Sequence, residues 1–229
     1  HSTSIDQAAR KRAVRLSQGI GDLVMTLAEK KVFWNNGPLK TEGLWVRGRL
    51  EEGVILSHPH PQMGGSMHNN VVETVRDVFA GQGYSTLRFN FRSVGESTGS
   101  YDEGRGETKD ILSACEFMKN QGVSKIVLAG YSFGAWVCMN LLYEDRPEIV
   151  SVIFISPPDK YLPFDWQGLK HAPNLIICGD EDPFCDVNEL KKIAAQYAVS
   201  FSVIKGGDHF YSRNETDLSN ILEKYLIKK

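Results

Sequence analysis

Ser132, Asp182 and His209 are the residues whose types and spacing could do chemistry together. Ser132 lies in Gly130-Tyr131-Ser132-Phe133-Gly134, directly after the charge-free run Ile126-Val127-Leu128-Ala129 and ahead of residues at helical spacing from Ala135 to Tyr143. Strand, sharp turn and helix form the context of a nucleophile elbow. The turn forces the serine into a strained backbone conformation, and only residues without a β-carbon fit beside it, which explains Gly130 and Gly134. A serine hydroxyl becomes a useful nucleophile when a base takes its proton and a carboxylate fixes the base's tautomer. Both partners are expected after the serine, acid first and histidine second, on loops that follow later strands. The apolar run 175–178 ends in Gly179-Asp180-Glu181-Asp182-Pro183, and 202–204 ends in Lys205-Gly206-Gly207-Asp208-His209-Phe210. His209 is the only histidine after His171. Asp182 is the chosen acid and Asp180 the alternative. Asp208, next to the histidine in the chain, points away from it.

A second polar stretch, His58-Pro59-His60-Pro61-Gln62-Met63-Gly64-Gly65-Ser66-Met67-His68, follows the strand ending at Ser57. His-x-His grips zinc in some proteins, but no cysteine or acid stands nearby to complete a site. Gly64-Gly65 ahead of a helix start is an unspecific phosphate signal. Neither carries a cofactor, so the expectation is no metal and no cofactor.

These residues need a scaffold, and the bulk of the chain supplies one. At 229 residues it can bury a large core. A net charge of −2 gives no electrostatic reason to expect nucleic acid or an anionic membrane as partner. Cys115, Cys138, Cys178 and Cys185 lie far apart, as reduced thiols do. No run reaches the length of a membrane span and no signal-peptide core appears. The expectation is a soluble, cytoplasmic protein.

Short β-rich runs at 32–34, 43–49 and 53–57 are separated by hairpin punctuation. Strands at 85–91, 125–130, 150–155, 174–178 and 201–204 then alternate with helices near 70–80, 107–120, 135–143, 187–197 and 217–227. Alternation of this kind predicts an α/β fold: a mixed, mainly parallel eight-stranded sheet covered by helices on both faces. Functional residues then gather beyond the carboxyl ends of the strands. Residues 1–31 differ, with apolar positions at helical spacing and arginines clustered among them. They read as a helical extension that packs on the 32–229 domain or on a second copy in a homo-oligomer; a targeting or membrane-surface role is the alternative.

The three motifs 130–134, Gly179-x-x-Asp182 and Gly207-Asp208-His209 resemble those of the α/β-hydrolase superfamily. Residues 58–69, Arg88-Phe89-Asn90-Phe91-Arg92 and Gly95-x-Ser97 are similar to a small, lidless subgroup of predicted hydrolases related to dienelactone hydrolases. The likeness runs from about residue 40 to the end. Relatives carry glycine where this chain has Ser93, which implies a different path for that loop. The resemblance implies an oxyanion hole built from the backbone N–H of Phe133 and one from the loop after the third strand. That second donor is His60 or Gln62, since prolines 59 and 61 have no N–H.

The implied activity is hydrolysis of a small-molecule ester through an acyl-enzyme. A thioesterase, peptidase or acyltransferase with the same residues, or a non-catalytic binding protein of this fold, are the alternatives. Residues 156–172 are too few for a lid domain. Met63, Tyr131, Trp166, Phe184 and Phe210 are expected to bind substrate, with Tyr211 adding apolar lining. Tyr161, Leu162 and Phe164, like Trp166, read equally as pocket wall or as core.

Overall fold

The computed structural model describes residues 28–48 and 51–228. Residues 1–27, most of the expected N-terminal extension, lie outside the described residues, as does the end of the expected strand 43–49.

The chain starts with an antiparallel hairpin, β1 (Lys30–Asn36) and β2 (Leu39–Val46), turning through Gly37 at φ +58°. Then follow β3 (Glu52–Ser57), α1 (Asn70–Gly81), β4 (Ser85–Phe89), α2 (Arg105–Asn120), β5 (Lys125–Tyr131) and α3 (Phe133–Met139). The carboxyl half adds β6 (Ile149–Ile155), β7 (Leu175–Gly179), α4 (Val187–Gln196), β8 (Ser200–Ile204) and α5 (Glu215–Ile227). The sheet order is β1-β2-β4-β3-β5-β6-β7-β8. Only the β1–β2 and β2–β4 pairs are antiparallel. This is the mixed, mainly parallel eight-stranded sheet that the alternation of patterns predicts, without a lid.

Strand periodicity divides the core in two. Ile55, Ile126, Leu128, Phe154 and Ile176 face one side, under α2 and α3. Their neighbours Val54, Leu56, Val127, Ala129, Ile153 and Ile177 face the other, under α1 and α5. With both faces covered, the central strands contain almost nothing but apolar residues.

Element ends depart from the sequence reading where polar residues form them. β1 begins at Lys30 because an edge strand tolerates exposed lysines. β2 begins at Leu39 because the hairpin register pairs it with Asn36. α2 begins at Arg105, where Glu107, wholly buried, accepts from the amides of Gly104 and Asp102. Ser93, at the position where relatives carry glycine, adopts φ +68°, the left-handed shape that glycine takes most readily. Arg88, buried at the sheet, donates to Glu29, Glu73 and the Met67 carbonyl, tying the chain ahead of β1 to α1.

Among the described residues, no helix is long and apolar enough to cross a membrane. The 156–174 connection between β6 and β7 has no helix or strand, and Trp136 Nε1 on α3 donates to its Pro163 carbonyl at 2.8 Å. Phe79, fully buried between α1 and the sheet, tests the scaffold. Phe79→Ala is expected to lower unfolding free energy by about 3–5 kcal/mol in urea titration, from lost burial plus the cavity left behind.

Candidate active site

The β5–α3 turn is tight because three stretches of backbone meet there. Ser132 has φ +54° and ψ −119°, and its amide donates to the Ile155 carbonyl at 2.9 Å. A β-carbon on Gly130 would lie 2.5 Å from the Gly134 carbonyl oxygen, and one on Gly134 would lie 2.4 Å from that of Ser57. Any side chain at either glycine would therefore push the turn apart.

His209, in the loop between β8 and α5, meets the serine. Its Nε2 lies 2.9 Å from Ser132 Oγ and its Nδ1 lies 2.8 Å from Asp182 Oδ2. The carboxylate accepts the Nδ1 proton, which leaves the Nε2 lone pair facing the serine hydroxyl. All three side chains are buried. Asp182 Oδ1 also accepts from the Phe184 amide at 2.9 Å, and Oδ2 from the Cys185 thiol at 3.2 Å. Burial pushes the Asp182 carboxyl up, but hydrogen bonds from His209, Ser156 and the Phe184 amide outweigh it and hold it below the usual carboxylate range.

The alternative acid, Asp180, is exposed and takes the Gly206 amide at 2.6 Å. Asp208 takes the amides of Phe210 and Tyr211, both at 2.9 Å, and so folds its own loop. The acid and histidine loops touch backbone to backbone: a β-carbon on Gly179 would fall 1.9 Å from the Gly207 oxygen.

Phe133 is the first residue of α3, so its amide has no carbonyl four residues back to bond within the helix. His60 caps the short 3₁₀ turn Pro61–Met63, and its ring packs 4.8 Å from Phe133 and 5.1 Å from Tyr101. The Gln62 amide donates to His60 Nδ1 at 3.2 Å. His58 is not available for a ligand. Its Nδ1 proton goes to the Pro59 carbonyl at 2.6 Å and its Nε2 accepts from the Phe91 amide at 3.0 Å. Burial lowers its pKa to about 4. His68 is exposed and is not among the residues lining the cleft beside Ser132. Asn69 Oδ1 caps the start of α1 by accepting from Val71. Among the described residues, Asp182, Cys185 and His209 form the one His/Cys/acid cluster compact enough to share an ion. The facing atoms of that cluster already bond to one another.

A cleft of about 410 Å³ opens beside Ser132. Met63, Tyr131, Phe184 and Phe210 line it, as do Tyr161 and Leu162 from the β6–β7 connection. Among the described residues, no Asp, Glu, Lys or Arg lines it. Trp166 is not among the residues lining the cleft and the expectation is corrected: its indole, half-buried against the core, stacks on Phe164 at 5.9 Å and packs against Phe154 and Tyr197. Tyr211 is also removed from the lining, being fully buried with its hydroxyl 2.7 Å from Ser156 Oγ. Several neighbours of the site carry no motif and escape sequence reasoning: Cys185 and Ser156 on Asp182, Tyr101 on His60, and the use of the Tyr131 hydroxyl. The only available signal is the closeness of Cys185 to Asp182 in the chain.

The sequence pattern of the family described as Alpha/beta hydrolase domain matches residues 51–225. An uncharacterized protein of Rickettsia prowazekii is 30% identical over 86% of this chain and 88% of its own length. A solved structure from Xanthomonas campestris, described as an α/β serine hydrolase without lid, superposes with a TM-score of 0.78 at 28% identity, covering 87% of this chain and 94% of that one. The lysophosphatidylserine lipase ABHD12 of Macaca fascicularis is 27% identical over 86% of this chain, which spans 62% of its length.

The neutral His58 gives the site region a pH signature. Unfolded, this histidine binds a proton below about pH 6.5; folded, only below about 4. Protons therefore favour the unfolded chain between those values, and the contribution, full above pH 6.5, is lost as pH falls through the window. Urea unfolding should show His58→Asn less stable throughout but losing about 2 kcal/mol less than wild type between pH 7 and 5.

Proposed function

Since this chain belongs to the α/β hydrolase domain family, we propose that it is a serine esterase in which Ser132 attacks the carbonyl of a small neutral ester. The observation that carries the reading is the line Ser132 Oγ, His209 imidazole, Asp182 carboxylate at 2.9 and 2.8 Å. His209 takes the serine proton at Nε2 as the hydroxyl attacks and returns it to the leaving alcohol. Asp182 holds the tautomer and stabilises the imidazolium. Water, deprotonated by the same nitrogen, then cleaves the acyl-enzyme.

The developing oxyanion is assigned to the amides of Phe133 and His60, each worth roughly 3–4 kcal/mol to the transition state. Between His60 and Gln62, the engagement of the Gln62 amide with His60 Nδ1 favours His60.

The lining supports neutral substrates. A cleft of about 410 Å³ with no lysine or arginine among its described lining residues offers a carboxylate or phosphate no such cation to replace its water. The uncovered mouth suits compact acyl groups. One observation favours a second reading, an ester with a longer chain: Met63, Tyr161 and Phe210 are 76%, 68% and 58% exposed and extend the apolar surface past the cleft.

Two measurements check these statements. Ser132→Ala and His209→Ala are expected to cost on the order of 10⁴–10⁶ in turnover with substrate binding nearly unchanged, and a fluorophosphonate should label wild type at Ser132 alone. Full turnover by Ser132→Ala would end the proposal. In a series of p-nitrophenyl esters from acetate to palmitate, kcat/KM is expected to peak at short acyl chains. A maximum at palmitate would support the second reading.

A further inference from the structure

The His209 loop must stay in place while its imidazole passes a proton back and forth, and its anchors are unequal. Asp208 ties the loop only to itself, through the Phe210 and Tyr211 amides. Asn70 Nδ2 donates to the Phe210 carbonyl at 2.9 Å, at the exposed edge of α1. The anchor on the histidine itself is Tyr131, whose hydroxyl donates to the His209 carbonyl oxygen at 2.6 Å in a buried setting. The two rings lie 5.5 Å apart, tilted by 34°.

Tyr131 precedes Ser132 in the chain, and the two side chains meet the same histidine at different atoms. One hydroxyl faces the imidazole Nε2, and the other grips the backbone of the same histidine. Resting on the esterase reading above, we propose that Tyr131 is a positioning residue, a strut by which the strand end that aims the nucleophile also sets the distance and angle of its base. The arrangement couples the two partners through one rigid peptide segment, bypassing the exposed β8 edge. Burial raises the Tyr131 phenol above the ordinary tyrosine range, so it is a neutral donor at neutral pH. Displacement of a reacting group by about 1 Å costs on the order of 10²-fold in rate. Freeing one of several anchors should cost less.

Tyr131→Phe removes only the oxygen. On a p-nitrophenyl ester, kcat and the rate of fluorophosphonate inactivation are expected to fall together, about tenfold, with KM within about twofold. The downfield His209 Nδ1–H proton resonance should shift or broaden in the same variant. Site-specific replacement of Tyr131 by 3,5-difluorotyrosine, which keeps the donor, should retain wild-type kcat. A folded Tyr131→Phe with wild-type kcat and an unmoved resonance overturns the inference. So does loss of folding by circular dichroism, which would make the hydroxyl a stability element, or an equal fall in the difluorotyrosine protein. Ser132→Ala run alongside separates the two claims. If it keeps full turnover, the esterase reading fails. If it is inactive and Tyr131→Phe is not impaired, this inference alone falls.

Discussion

One close approach organises the molecule: the end of β5, the start of α3 and the end of β3 sit within a backbone's thickness of one another around Ser132. The left-handed serine costs on the order of 1–3 kcal/mol, which the surrounding fold must hold. It is held by parallel strands on either side of β5 and by apolar layers on both faces of the sheet. The serine amide also bonds to the end of β6, so the neighbouring strand shares in fixing the turn. The same sheet brings the ends of β7 and β8 alongside, and the Gly179–Gly207 contact fixes the spacing between acid and histidine.

The electrostatics follow from this packing. Asp182 is buried among hydrogen bonds donated by His209, the Phe184 amide and Cys185, and it stays ionised because those donors replace the water it loses. Its charge lies behind the imidazole. Among the described residues, the cleft in front is lined by no Asp, Glu, Lys or Arg. A chamber of this kind with a hidden anion suits the proposed reaction, in which negative charge appears only transiently on the substrate.

The sheet and the Ser132, Asp182 and His209 positions were legible because they depend on short-range pattern. Apolar strands announce themselves by composition, and an alternating α/β chain must bring its strand ends to one side. What was not legible depends on packing between distant segments. Trp166 and Phe184 look alike in the sequence, as aromatics near polar loops. Only the paths of the two loops that carry them, 156–174 for Trp166 and the loop after β7 for Phe184, turn the first onto Phe154 and the second beside His209. Lysines 30 and 31 hide the start of β1 because an edge strand needs no apolar residue there. The second use of Tyr131 was hidden for a related reason: spacing places a residue on a strand end but says nothing of what a loop 78 residues away presents to its hydroxyl.

The connection after β6 also meets the loop after β7 at several points. Asp159 accepts from the Asp186 amide at 2.7 Å, the Lys160 amide donates to Phe184, and the Cys185 thiol reaches the Pro157 carbonyl. The segment that shapes one wall of the chamber is thus sewn to the segment that carries the acid. Diversification of this scaffold is therefore constrained. A lineage that rewrote Tyr161 or Leu162 could explore new substrates freely, whereas one that lengthened or re-routed the backbone beneath them would drag the carboxylate along with it.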